Sequence, residues 1–253
     1  MKLVALGSSF AAGPGIDPVQ NRWAQRSERN YPHLVADALR AELCDATVAG
    51  ATTATILHRP QWVLGRRFRP QVESVDARTD LVTVTAAGND LGYLGAIMST
   101  AIARRALTRP FGRMLRLGLS VPDPVLVETA TAGLAEIVAA VTRRAPSARV
   151  ILVGYLPVFD AEPTASALRW LTAAEITRFR QVADQLAGVY VAAATRSGAE
   201  LVAPNAFEPG HGVGAPDPWV NGLQPRRSVG SSYHPNLAGM HAVAEAVLRT
   251  IRG

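Results

Sequence analysis

The chain carries almost no lysine and almost no cysteine. Lys2 is the only lysine among 26 basic residues, and Cys44 is the only cysteine. A lone cysteine excludes an intramolecular disulfide and suits a reducing compartment. Long apolar runs are scarce as well. No stretch approaches the ~18 to 20 residues that span a bilayer, and "LVAL" at residues 3–6 falls short of the ~7-residue minimum of a signal-peptide core. As written, the chain reads as cytoplasmic, or as secreted if a leader has been removed. Metal-ligand patterns are missing too. The five histidines and single cysteine show neither H-E-x-x-H nor C-x-x-C spacing, so no metal is expected.

What is present points to a folded core. Of 253 residues, 48% are hydrophobic and only 18% charged, which excludes disorder and makes one sizeable domain the default. The formal net charge is +6, carried almost wholly by arginine. Arginine's planar fork suits phosphate and carboxylate recognition, although genomic base composition produces the same bias. No nucleic-acid motif accompanies the arginines, so nucleic acid is not an expected partner.

Apolar runs and helical spacing alternate along the chain. Strands are expected at residues 2–6, 46–50, 81–90, 148–157 and 200–204, the clearest being mostly apolar, as in parallel strands buried on two faces. Helices are expected at 31–43, capped by Asn30 with Pro32 in the first turn, and at 124–142, 172–197 and 236–251. The alternation predicts a three-layer α/β/α, flavodoxin-like fold: a mainly parallel five-stranded sheet with helices on both faces. Ligands bind outside the carboxyl ends of such strands. The turns at 7–15, 50–54 and 88–90 each follow an expected strand and should meet at that edge. Two arginine-bearing insertions, about 56–78 and 91–124, break the alternation. The second, with Arg104, Arg105, Arg109, Arg113 and Arg116, reads either as a lid or lipid-facing amphipathic surface, or as an insertion with one solvated face.

Acyl-transfer chemistry needs a nucleophile, a base and donors aimed at an oxyanion. "GSSF" at residues 7–10 offers two hydroxyls, Ser8 and Ser9, just past a strand. Position 11 is Ala, so the G-x-S-x-G elbow is absent, and "GPG" lacks the dinucleotide-binding spacing. His33, His58 and His241 lie in a helix start, an insertion and the last helix. His234 precedes Pro235, which suits a first helical position and places the ring near a helix N-terminus, where imidazolium is disfavoured. His211, in "EPGHGVGAPDPWVNG", competes with it. Asn89 is either a donor past a strand end or a turn residue.

Four segments together resemble the SGNH (GDSL-type) hydrolases: "GSSF", "AGATT", "AAGNDL" and "SYHPNLAG", in the family's order and across almost the whole chain. The resemblance implies Ser9 as nucleophile, His234 as base, and an oxyanion hole of Ser9 N–H, Gly50 N–H and the Asn89 amide, with no cofactor. It implies a carboxylesterase or lipase acting on a small-molecule or lipid ester, with the arginine-bearing insertion available for peripheral lipid contact. Two positions depart from the family. Ser8 replaces an aspartate that supports the loop, and Ser231 stands three residues before His234, where the triad acid belongs. A serine supplies no charge to stabilise imidazolium. Three repairs are open: a backbone carbonyl near Ser231 that orients the ring, a carboxylate reaching in from Asp217 or Glu208, or loss of activity. The alternatives are accordingly a binding protein for acidic lipid or glycan, and an acyltransferase or thioesterase using the same residues.

Overall fold

The computed structural model describes residues 1–106, 121–224 and 229–253. In chain order the elements are β1 (Lys2–Gly7), α1 (Ser9–Ala12), β2 (Val19–Asn21), β3 (Arg26–Ser27), α2 (Tyr31–Leu39), β4 (Glu42–Asp45), α3 (Thr53–Leu57), β5 (Gln61–Val63) and β6 (Arg66–Phe68). There follow β7 (Leu81–Thr85), α4 (Tyr93–Ala106), α5 (Pro124–Arg144), β8 (Arg149–Val153), α6 (Ala173–Ser197), β9 (Glu200–Val202) and α7 (Leu237–Arg252). Five strands form one parallel sheet in the order β4-β1-β7-β8-β9. All five residues of β7 and five of the six in β1 are buried, which is why these segments read as unbroken apolar runs.

The connection from β1 leads to β4 on one side, whereas those from β7 and β8 lead the other way. Right-handed crossovers then place helices on opposite faces. In agreement, α2 packs against α7, while α5 packs against α6 and α3. The reversal opens a crevice between β1 and β7 at their carboxyl ends, where folds of this kind bind ligands. Helix ends are set locally. Asn30 caps α2 through His33 N–H, Asp123 caps α5 through Leu126 N–H, and Thr172 with Glu175 makes a capping box on α6.

Several boundaries differ from the sequence expectations. The helix from residue 31 stops at Leu39 because Arg40 turns left-handed (φ 50°), and residues 42–45 pair with β1 instead. The strand expected at 46–50 is therefore the loop after β4, held by Ala46 N–H on Ala5 O and Val48 N–H on Gly7 O. The first insertion contains the β5–β6 hairpin. The second opens with α4, and residues 107–120, with Arg109, Arg113 and Arg116, lie outside the described residues, as does that part of the expected lid. By length and composition α5 is apolar enough to cross a membrane, with mean hydropathy 1.6, although no such run was expected. Here it buries Leu134, Ile137, Val138 and Val141 in the fold's core.

Candidate active site

Gly7 ends β1 where a side chain has no room: a Cβ there would stand 2.7 Å from Thr85 O. Gln71 clamps the same residue with both ends of its amide, accepting from Gly7 N–H at 2.7 Å and donating to Gly7 O at 3.0 Å. Ser8 N–H donates to Thr85 O at 2.9 Å, and the chain turns into α1 at Ser9. The two hydroxyls then part company. Ser8 Oγ lies 3.0 Å from Tyr155 Oη, whose ring stacks on Phe10 at 4.3 Å. Ser9 Oγ lies 2.7 Å from His234 Nε2.

His234 is buried, and its Nδ1 sits 2.7 Å from Ser232 O. A carbonyl can only accept, so Nδ1 carries the proton, and Nε2 is the bare nitrogen that accepts from the Ser9 hydroxyl. Burial pushes the imidazole pKa down to about 4, against the opposing pull of the Ser232 carbonyl. The ring is thereby kept neutral at neutral pH, with Nε2 unprotonated and free to accept a proton. The expected placement of Pro235 in the first helical position needs correction. Helix α7 begins at Leu237 with Asn236 as its cap, because the Asn236 side chain accepts from Gly239 N–H at 3.0 Å, while Pro235 bridges to Val220 before the helix. Desolvation, rather than a helix terminus, is the leading cause of the low pKa.

Position 231 contributes its backbone to this loop: Ser231 O accepts from His234 N–H at 3.3 Å and from Asn221 Nδ2 at 3.2 Å. Asp217 and Glu208 lie around a different ring. His211 Nδ1 donates to Asp217 O at 2.7 Å, and the nearest Asp217 and Glu208 carboxylate contacts to that imidazole are 3.9 and 4.0 Å. Both carboxylate side chains are largely exposed, and neither bonds to His234. Ser232, which orients the ring, was not singled out from sequence. It acts through a main-chain carbonyl, and no side-chain type marks such a role.

The three turns meet at the carboxyl edge of the sheet. Asn89 Nδ2 donates to Ala51 O at 2.8 Å, and its second amide hydrogen has no partner among the described residues. Asp90 accepts from Thr53 Oγ1 at 2.6 Å and from Thr53 N–H, tying the turn after β7 to the loop after β4. Gly50 takes φ +81°, a conformation that favours glycine. The backbone N–H groups of Ser9 and Gly50 make no hydrogen bond among the described residues. No group of three His, Cys, Asp or Glu side chains among those residues is arranged to hold a metal.

A family model described as the GDSL-like Lipase/Acylhydrolase family matches residues 5–242. The chain belongs to that family. Membership makes it an ester-hydrolysing enzyme of α/β fold, and the five-stranded parallel sheet agrees. Among curated relatives, a protein named Lipase 2 from Streptomyces coelicolor is 34% identical over 251 residues, covering 96% of this chain and 83% of that protein. A lipase from Streptomyces rimosus is 26% identical over 246 residues, covering 93% of this chain and 81% of its own. Among solved structures, phospholipase A1 from Streptomyces albidoflavus NA297 superposes with a TM-score of 0.76 at 25% identity, covering 99% of this chain and 98% of that one. The extracellular lipase from Streptomyces rimosus shares the fold, with a TM-score of 0.74 at 23% identity, covering 100% and 98%.

Proposed function

We propose that this GDSL-like enzyme cleaves carboxylic esters through an acyl-enzyme on Ser9, with His234 as general base. The observation that carries the reading is the pair of 2.7 Å contacts, Ser9 Oγ to His234 Nε2 and His234 Nδ1 to Ser232 O. His234 takes the Ser9 proton as the oxygen attacks the ester carbonyl. The oxyanion is received by Ser9 N–H, Gly50 N–H and the free hydrogen of the Asn89 amide. The imidazolium then gives its proton to the leaving alcohol, and water repeats the sequence on the acyl-enzyme. The Ser232 carbonyl holds the ring by its Nδ1 hydrogen, a dyad in which no carboxylate takes part. The absent acid at Ser231, which argued for a binding protein, is offset in this reading by that carbonyl.

The names of the relatives, two lipases and a phospholipase A1, favour esters carried on lipids. Lipid contact falls to the first arginine-bearing insertion. Trp62 and Leu64 on the β5–β6 hairpin are 64% and 86% exposed, beside exposed Arg66 and Arg67. Leu64 sits at the hairpin apex with φ +47°, an apolar residue held outward in a conformation that favours glycine or asparagine. Such a tip suits an anionic lipid surface. In α4, by contrast, Arg104 is paired with Glu175. Of the two compartments, the secreted one accords with the extracellular Streptomyces lipase that shares this fold.

Hydrolysis of p-nitrophenyl esters from acetyl to palmitoyl tests the mechanism. Ser9→Ala and His234→Ala each lower kcat by about a thousandfold or more, and Ser8→Ala retains most turnover. Full activity in Ser9→Ala overturns the reading. On phosphatidylglycerol vesicles the double variant Trp62→Ala, Leu64→Ser loses hydrolysis yet keeps its rate on the soluble butyrate ester. Equal rates on vesicles would remove the hairpin from lipid contact.

A further inference from the structure

Gln61, at the root of the same hairpin, reaches the loop after β4. Its Nε2 donates to Ala49 O at 2.7 Å. That carbonyl belongs to the peptide unit whose hydrogen is Gly50 N–H. The unit is trans, so its oxygen and hydrogen point in opposite directions. A donor that fixes the oxygen therefore fixes the direction of the N–H. Donation to the carbonyl also polarises the amide and strengthens its hydrogen as a donor. On the other flank, Ala49 N–H donates to Ala24 O at 2.9 Å.

The two glutamines near the site make the point by contrast. Gln71 spends both ends of its amide on Gly7, a purely bracing arrangement. Gln61 uses only its donor end. Its Oε1 is buried and makes no hydrogen bond among the described residues, a cost to folding that a bracing role does not require. Rotating the amide would set Oε1 against Ala49 O, two acceptors face to face, so the contact itself fixes the amide's orientation.

We propose that Gln61 is a positioning residue that aims the Gly50 N–H at the developing oxyanion. This rests on the reading of Gly50 as an oxyanion donor. The first insertion thereby holds part of the catalytic geometry.

The test compares wild type, Gln61→Glu, Gln61→Met, Asn89→Ala and Ser9→Ala on p-nitrophenyl butyrate. Inhibition by an alkyl boronic acid, whose tetrahedral adduct on Ser9 places an oxygen in the hole, is measured alongside. Both Gln61 variants lose about tenfold in kcat with KM within about twofold, and the boronate Ki rises by the same factor. In Gln61→Glu, which keeps the shape, the deficit relative to wild type shrinks as pH falls from about 8 to about 5, because burial against the Ala49 oxygen raises the carboxyl's pKa above its ordinary value and the protonated form again donates to Ala49 O. In Gln61→Met it does not. Unchanged kcat and Ki in Gln61→Glu, while Ser9→Ala and Asn89→Ala are impaired, overturn the role of Gln61 alone. A loss in Gln61→Glu that follows its melting temperature and shows no pH recovery also overturns it, as mere bracing. If Ser9→Ala and Asn89→Ala keep full turnover, the underlying mechanism fails instead. Should Gln61→Met not fold, the pH recovery of Gln61→Glu decides the matter.

Discussion

Of the three histidines that follow β9, His211 and His234 have nearly complementary surroundings among the described residues. His211 has carboxylates within 3.9 and 4.0 Å, stacks on Trp219 at 3.9 Å between ring centroids, and bonds to no serine. His234 has a serine at 2.7 Å, a main-chain carbonyl on its other nitrogen, and no carboxylate partner. The acids of this loop have gone to the wrong ring for a triad. Orientation and charge, which a triad aspartate supplies together, are therefore separable: His234 receives the first from Ser232 O and does without the second.

The most forceful way to break this comparison is to titrate the buried ring. The folded-state pKa of about 4 lies below the unfolded value of about 6.5, so between them the unfolded chain binds more protons than the native one. Stability from this group is fully present above pH 6.5 and falls away as pH drops toward 4, by about 3 kcal/mol in all. Urea melts at pH 7, 5 and 4 read this slope, and His234→Gln flattens it. A slope that survives the substitution assigns the acid sensitivity to other groups.

A second experiment sharpens the contrast by giving His234 the charge it lacks. Ser231→Asp introduces a carboxylate at the family's acid position, and an opposite charge within about 4 to 6 Å raises an imidazole pKa by about 1 to 3 units. The acid limb of kcat/KM then moves up from about pH 4 toward the ordinary histidine range. An unmoved limb means that the new side chain does not reach the ring. The smallest effect belongs to the other histidine's partners. Asp217→Asn and Glu208→Gln change kcat by no more than about twofold, as expected of exposed carboxylates. A tenfold loss in either would return a carboxylate to the catalytic pair.

Side-chain identity and spacing carried the legible part. Apolar runs marked β1, β7 and β8, and the family resemblance of the four blocks pointed to Ser9, Gly50, Asn89 and His234, of which the structure brings Ser9 and His234 within 2.7 Å. Strand β4 escaped because "ELCD" continues a helical-looking stretch and has none of the β-branched residues that mark strands. Its pairing with β1 is a tertiary fact. The Pro235 misplacement has a simpler cause: Asn236 is the stronger cap, and it starts the helix after the proline. A backbone carbonyl near Ser231 was among the repairs open from sequence, but that Ser232 supplies it, and what Gln61 touches, lay beyond reach for a shared reason. One acts through its own main-chain oxygen and the other on a neighbour's, and peptide groups look alike at every position.

The contact between Ser9 and His234 joins positions 225 residues apart. On the ribosome Ser9 is therefore made long before the histidine it contacts. A nascent chain holds a serine without a proton acceptor until nearly the whole sheet and the loop after β9 have been synthesised. The pair then forms only once both segments have been made and the sheet between them has folded.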